Sequence, residues 1–172
     1  MADLVISGGD VLLPEGLSRV DVSVTGGKVS GLHTPGTAPD AGEVIDATGR
    51  TVLPGIVDIH FHVRAPAYPE RGTVLSETRA AAAGGVTTIF EMPISKPCCA
   101  TPEIFEDRRA HFAQHAVVDF GLYAAPGDLT EATCDRFLDQ GAIAFKIFTT
   151  PAPPGRGDEF DGLAFPEEDD QF

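Results

Sequence analysis

The chain has 172 residues, of which 42% are hydrophobic and 22% are charged, a length and composition typical of a globular protein of about one domain. Its net charge of −14 disfavours nucleic acid and anionic membrane surfaces as partners, because phosphate groups are bound by clustered lysines and arginines. The first residues lack the features of a secretion signal, and no apolar run is long enough to cross a membrane. We therefore expect a cytoplasmic protein.

Residues 1–52 have the pattern of short β-strands separated by glycine turns. Apolar and polar residues alternate over VDVSVT (20–25), and Gly26 and Gly27 then turn the chain, which predicts an antiparallel hairpin. The segments DLVISGGDVLL (3–13) and EVIDATG (43–49) have the same character. This region predicts a small β layer with no chemistry of its own.

From residue 53 the pattern changes to strands that alternate with helices. After the strand that contains IVDIHF, the predicted elements are helix 73–83, strand 86–93, a helix from 102 to about 114, strand 117–124, a helix from 131 to 140 and strand 142–148. Four strands alternating with three helices predict parallel pairing, as in an open α/β sheet or a (β/α)₈ barrel. Residues 151–172 are acidic, rich in proline and aperiodic, which predicts a loop or a frayed tail.

The segment TVLPGIVDIHFHVRAP (51–66) places polar residues in an otherwise apolar strand. Side chains alternate along a strand, so the polar and apolar residues occupy opposite faces. One face carries Asp58, His60, His62 and Arg64, and the other carries Val57, Ile59, Phe61 and Val63. In a barrel the apolar face would pack on helices, while the polar face would build an active site at the C-terminal end of the strand.

Two imidazoles at positions i and i+2 can both reach one metal ion, so His60 and His62 are candidate metal ligands. The alternative is a pair of hydrogen-bonded core histidines. Asp58 could hold a histidine N–H as a supporting group, or line the interior of the barrel.

Lys146 lies in the otherwise apolar strand AIAFKIF (142–148). Lysine is rarely buried without a partner, and a buried amine loses its proton readily and becomes a nucleophile. The alternative is a lysine at a strand end whose ammonium group reaches water. The HxH motif and this lone lysine together form a more specific pattern than either does alone.

The chain resembles the amidohydrolase superfamily, specifically the cyclic amidohydrolases dihydroorotase, allantoinase and hydantoinase. The resemblance is carried by LPGIVDIHFHVRAP (53–66), ETRAAAAGGVTTIFEMP (77–93), KPCCATPE (96–103) and AIAFKIF (142–148). It implies the N-terminal half of a (β/α)₈ TIM-like barrel in 53–150, after the N-terminal part of a small β-sandwich in 1–52. Residues 151–172 are left as an acidic loop or truncated tail.

The resemblance also implies a zinc-dependent hydrolase that opens a small cyclic amide or ureide. His60 and His62 would bind one zinc ion, and Lys146, carboxylated by CO₂ to a carbamate, would bridge two zinc ions. Two further histidines and a proton-shuttle aspartate belong to later strands, which we expect beyond Phe172. The chain is thus expected to be an incomplete part of an enzyme that is a homo-oligomer when complete.

The remaining histidines and the cysteines are weaker candidates. His111 and His115 are spaced i, i+4 on a predicted helix but lack the glutamate of HExxH, and we interpret them as a solvated face. His33 has no partner in the sequence. Three cysteines, two of them adjacent, fit neither a disulfide framework nor a CxxC metal pair, and we interpret them as reduced thiols.

Three residues bear on the substrate. Arg64, directly after the HxH motif, is similar to the dihydroorotase arrangement, in which this arginine grips the substrate carboxylate; the alternative is a surface ion pair. Ile94 stands where that family member has asparagine, and EMP together with FKxF is more similar to allantoinase. Glu91 could approach the site or cap the strand end.

The sequence therefore favours an allantoinase-like enzyme. A dihydroorotase-like enzyme, a non-catalytic hydantoinase-like scaffold and an inactive fragment are the alternatives. Retention of His60, His62 and Lys146 argues against the scaffold, which has no use for a lysine beside paired imidazoles.

Overall fold

A computed structural model describes residues 1–167 of the chain. The chain divides into two compact units, the first comprising Met1–Pro54 and the second beginning at Gly55. The division lies close to the boundary predicted after residue 52. Among the described residues, no helix has the length and apolar character needed to cross a membrane.

The first unit consists of short strands in two sheets. The strands are β1 (Ala2–Ser7), β2 (Asp10–Leu13), β3 (Gly16–Arg19), β4 (Asp21–Thr25), β5 (Lys28–His33), β6 (Ala41–Asp46) and β7 (Thr51–Val52). One sheet has the order β5-β4-β1-β6 and the other has the order β3-β2-β7. The antiparallel hairpin predicted from the alternating segment is formed by β4 and β5.

Two polar residues of β4, Asp21 and Ser23, are buried although they lie on the strand's polar face. Asp21 is almost fully buried, and its carboxylate accepts hydrogen bonds from the backbone N–H groups of Gly8 (2.9 Å) and Gly36 (2.7 Å). These bonds lower the pKa of Asp21 and compensate for the burial of its charge. The first unit is thus held partly by a buried carboxylate, which alternation alone did not predict.

The second unit is mixed α/β, with helices between parallel strands. Its elements are β8 (Ile56–Phe61), a 3₁₀ turn (Pro69–Arg71), α1 (Val74–Ala83), β9 (Val86–Glu91), α2 (Pro102–His115), β10 (Asp119–Ala124), α3 (Glu131–Asp139), β11 (Ala142–Phe145) and α4 (Gly157–Phe160). The strand order is β11-β10-β9-β8, and every neighbouring pair is parallel. The predicted alternation and parallel pairing are confirmed.

Each of the three longer helices begins after a threonine. Thr73, Thr101 and Thr130 accept hydrogen bonds from the backbone N–H three residues further on, which satisfies a donor that the first turn leaves free. Gly85 and Gly141 follow α1 and α3 with φ values of 86° and 88°, a conformation that glycine adopts without strain. The core between helices and sheet is formed by buried residues that include Ile89, Phe105, Phe112 and Phe137.

Residues 151–167 are largely irregular, as the predicted loop would be, but they are packed against the rest of the second unit. They contain the short helix α4, and Phe160 and Leu163 are buried in a second apolar cluster with Ile94. The backbone N–H of Phe148 donates to the carbonyl of Leu163 (2.9 Å), and Phe148 forms a parallel bridge with Ala164. The sequence did not predict these contacts, because they are non-local and leave no periodic pattern. Residues 168–172 lie outside the described part of the chain.

The two outer strands of the parallel sheet, β8 and β11, each have one strand neighbour among the described residues. The helices α1, α2 and α3 pack on β9, β10 and β11, respectively. Val57 and Ile59 on β8, which were predicted to pack on helices, are consequently 51% and 60% exposed. The outer face of β8 is therefore open at Val57 and Ile59 in the described structure, whereas Phe61 packs against the apolar core as predicted.

Candidate metal and substrate site

The two histidines of the HxH motif lie at an irregular point of β8. The register between β8 and β9 shifts between Asp58 and Phe61, as in a β-bulge. The Asp58 carboxylate accepts a hydrogen bond from the backbone N–H of His60 (3.0 Å), and the Tyr123 hydroxyl donates to the backbone carbonyl of Ile59 (3.1 Å). Both bonds satisfy backbone groups at the irregularity. The Asp58 bond found here is thus to the backbone of His60 and not to its ring, and Tyr123 was missed by the sequence analysis.

The imidazole rings of His60 and His62 are neighbours, with centroids 5.2 Å apart and planes inclined by 53°. Partial burial lowers the pKa of His62 to about 4, and the nearby positive charges of Arg64 and Lys146 act in the same direction. His62 is therefore neutral at neutral pH. A neutral imidazole is the form that binds a metal ion.

Lys146 directly follows the last residue of β11, Phe145, and is half-buried rather than enclosed in the strand interior. Its backbone N–H donates to the carbonyl of Ala124 (2.9 Å), which continues the pairing with β10 by one residue. Its ammonium nitrogen lies 4.8 Å from the centre of the Phe148 ring. Because the Lys146 charge contributes to the lowered pKa of His62, the lysine and the histidine belong to one electrostatic environment.

Within residues 1–167, no group of three or more His, Cys, Asp or Glu side chains is arranged to hold a metal ion. The ligands that the sequence analysis selected in this part of the chain are two imidazoles and one amine. The donor chemistry fits zinc, which takes neutral imidazole nitrogen, and a carbamate would add anionic oxygen.

Glu91, at the end of β9, binds the backbone immediately after His62. Its carboxylate accepts hydrogen bonds from the N–H groups of Val63 (2.9 and 3.1 Å) and Arg64 (3.1 Å), and it lies 3.9 Å from the guanidinium of the buried Arg108. Burial raises the pKa of Glu91 to about 7, although these donors oppose the rise. Arg64 has a left-handed backbone with φ of 62°, which this carboxylate helps to hold.

Arg64 forms an ion pair with a residue that the sequence analysis had placed in the tail. Its Nη1 atom lies 3.2 Å from Oε2 of Glu159, and the two side chains are 24% and 5% exposed. Arg156 binds both oxygens of the same carboxylate, at 2.9 and 2.7 Å, and lowers the pKa of Glu159. Glu159 and Arg156 were missed because 95 positions separate Glu159 from Arg64 and no sequence pattern links them.

The remaining candidates lie apart from this chemistry. His111 and His115 on α2 have ring centroids 4.5 Å apart and help to line a largely apolar cavity of about 310 Å³, so they are half-buried and not the solvated face that was predicted. The three cysteines form no disulfide. Burial raises the pKa of Cys98 to about 12 and that of Cys99 to about 11, so both are thiols at neutral pH.

Comparison with known proteins identifies the family. A family model described as dihydro-orotase-like matches residues 49–146. An L-hydantoinase of Paenarthrobacter aurescens is 34% identical over 161 residues, which are 92% of this chain and 35% of the relative. An allantoinase of Desulfitobacterium hafniense is 37% identical over 153 residues, covering 85% and 32% of the two chains. A dihydroorotase of Listeria monocytogenes is 38% identical over 148 residues, covering 82% and 34%.

The fold agrees with these relationships. The solved structure of L-hydantoinase (dihydropyrimidinase) from Arthrobacter aurescens superimposes with a TM-score of 0.82 at 33% identity, over 91% of this chain and 35% of that one. The chain spans about a third of the length of the curated relatives it matches. It belongs to the dihydro-orotase-like family of cyclic amidohydrolases and represents an N-terminal region of such a protein, as its motifs predicted.

Proposed function

We propose that the complete protein is a zinc-dependent hydrolase that opens a cyclic amide. The observation that carries the proposal is the pair of adjacent imidazoles at the end of β8, one of them held neutral, within the part of the chain that matches the family model. In this proposal the sheet β8–β11 is the first half of a (β/α)₈ barrel, and the first unit is part of a small β-sandwich. Residues beyond this chain would supply the other half, including the proton-shuttle aspartate.

Each residue of the site has a distinct part in the proposal. His60 and His62 would hold one zinc ion through their ring nitrogens. Lys146, as a carbamate, would contribute oxygen ligands to two zinc ions. Zinc, when bound, would polarise the ring carbonyl and activate water. Asp58 and Glu91 would position the histidines indirectly, because their carboxylates hold the backbone of His60 and the two residues after His62.

Within this reaction class we favour an allantoinase-like substrate, a ring without a carboxylate. The relatives include an L-hydantoinase, an allantoinase and a dihydroorotase at similar identities, so the shared reaction is the opening of a cyclic amide. A dihydroorotase-like activity is the second candidate, which the position of Arg64 next to the HxH motif favours.

The proposal is tested by metal content and turnover of the complete protein. His60→Ala and Lys146→Ala should each remove most of the zinc and lower the rate of ring opening by more than about 100-fold, since each change deletes a ligand. Zinc is measured by plasma mass spectrometry, and turnover is measured with allantoin, hydantoin and dihydroorotate.

The matched control is His111→Ala, which removes a histidine of α2 outside the proposed site. It should retain the zinc content and turnover of the wild-type protein. Full turnover by either ligand variant, or a wild-type protein that purifies without metal and opens no ring after zinc is added, would contradict the proposal.

A further inference from the structure

We infer that Glu159 is a specificity-determining residue, which engages Arg64 and thereby disfavours substrates that carry a carboxylate. The inference rests on the proposed function and deepens it, because it assigns the site to uncharged cyclic ureides.

In the dihydroorotase-like alternative of the proposed function, Arg64 would recognise the carboxylate of the ring. A guanidinium binds a carboxylate best as a fork, through two parallel N–H bonds. In this structure Nη1 of Arg64 already donates to Oε2 of Glu159 at 3.2 Å. A substrate carboxylate that approached Nη1 of Arg64 would have to displace Glu159 or lie beside it. Two carboxylates in contact repel each other, which disfavours binding.

Glu159 is fixed in place, so it cannot move aside at little cost. Arg156 binds both of its oxygens, and the Arg156 guanidinium lies 5.2 Å from the ring centre of the buried Phe160. The segment is further held by Leu163, which is fully buried. Moving the Glu159 carboxylate therefore means breaking a bidentate ion pair, on a segment that an apolar cluster holds in place.

Arg64 is also close to the proposed metal ligands along the chain. Arg64 follows His62 by two residues, and its charge contributes to the electrostatic environment of that ring. The Arg64 backbone is held from the other side by Glu91 through its N–H (3.1 Å) and by the Ser95 hydroxyl through its carbonyl (2.8 Å). Arg64 is thus held at both backbone and side chain, with its charge shared by a protein carboxylate.

The test compares dihydroorotate, which carries a carboxylate, with allantoin, which does not. In the complete protein, Glu159→Gln keeps the shape of the side chain but removes its charge. It should tighten the binding of dihydroorotate by about tenfold, as expected when a charge-assisted bond becomes available, and raise the ratio of kcat/KM for dihydroorotate to that for allantoin by a similar factor. Binding is measured by isothermal titration calorimetry. Glu159→Asp, which shortens the side chain, should give a smaller gain in the same direction.

Two further variants show that the effect acts through Arg64. Asp158→Asn removes a negative charge from the same helix, but Asp158 pairs with the exposed Lys96 at 2.7 Å, so dihydroorotate should bind as it does to the wild-type protein. The double variant Arg64→Gln with Glu159→Gln should lose the gain.

The outcomes separate this inference from the proposed function. Dihydroorotate binding that does not improve in the Glu159 variants, or that improves equally in Asp158→Asn, overturns the specificity role while allantoin turnover by the wild-type protein stands. A wild-type protein that opens no cyclic amide overturns the proposed function, and the specificity role with it.

Discussion

Glu91 is a buried carboxylate whose charge state affects the stability of the protein. Burial raises its pKa from 4.5 to about 7, so the folded protein retains a proton that the unfolded chain releases between these values. By linkage, the stabilisation from this proton is complete below pH 4.5 and is lost as the pH rises through about 7. The loss amounts to at most about 3 kcal/mol in the free energy of unfolding.

Glu91→Gln cannot titrate and should therefore flatten the decrease in the free energy of unfolding across this pH range. Urea denaturation at several pH values between 4.5 and 8 measures the slope. The control is Glu103→Gln: Glu103 is exposed and paired with Arg136, which lowers its pKa, so this variant should keep the wild-type slope. Equal slopes in wild type and Glu91→Gln would mean that Glu91 is ionised throughout.

At the scale of single residues, the sequence singled out candidate side chains but not the partners that hold them. His60, His62 and Arg64 were found because alternation along a strand depends only on neighbouring positions. The partner of Arg64 was not found, because Glu159 reaches it through the folding of a distant segment. Lys146 was placed inside strand 142–148, whereas β11 ends at Phe145 and the Lys146 backbone N–H extends its pairing with β10 by one bond.

At the scale of elements, the helices were predicted well because their ends are encoded locally. Thr73, Thr101 and Thr130 begin helices by bonding a backbone N–H three residues away, and a short pattern of this kind can be read from the sequence. The α4 segment has no such signal. Its position depends on the burial of Phe160 and Leu163, whose partners lie elsewhere in the chain.

The packing of the α4 segment can be tested through Leu163, which is completely buried. Leu163→Ala should lower the free energy needed to detach this segment from the folded protein by about 2–5 kcal/mol, because the change removes buried methyl groups and leaves a cavity. Trypsin should then cleave the folded Leu163→Ala variant after Arg156 faster than it cleaves the folded wild-type protein at the same position. Leu129→Ala, at a site that is 46% exposed, should leave the rate unchanged. An unchanged rate in Leu163→Ala would show that this segment is not held by its apolar contacts.

At the scale of the whole molecule, the parallel sheet has two open edges in the described structure. β8 and β11 each have one neighbour there, and Ile56, Val57 and Ile59 on β8 are exposed, as is Ile143 on β11. Unpaired strand edges with apolar side chains favour association with another chain. In the proposed barrel the rest of the protein would cover them.

The 172-residue chain produced by itself should therefore associate, and the association should depend on the face of β8. Analytical ultracentrifugation is expected to give a mass above 18.1 kDa that rises with concentration. Ile59→Lys should reduce the association, since a charged side chain on that face opposes apolar contact. Val117→Lys, which replaces an equally apolar exposed residue just before β10, should not. A stable monomer of 18.1 kDa would show that the open edges are tolerated in water, and it would remove the physical reason for expecting a covering half. If both lysine variants reduce the association equally, the chains associate through a surface other than β8. If only Ile59→Lys reduces it, the missing contacts belong on the outer face of that strand.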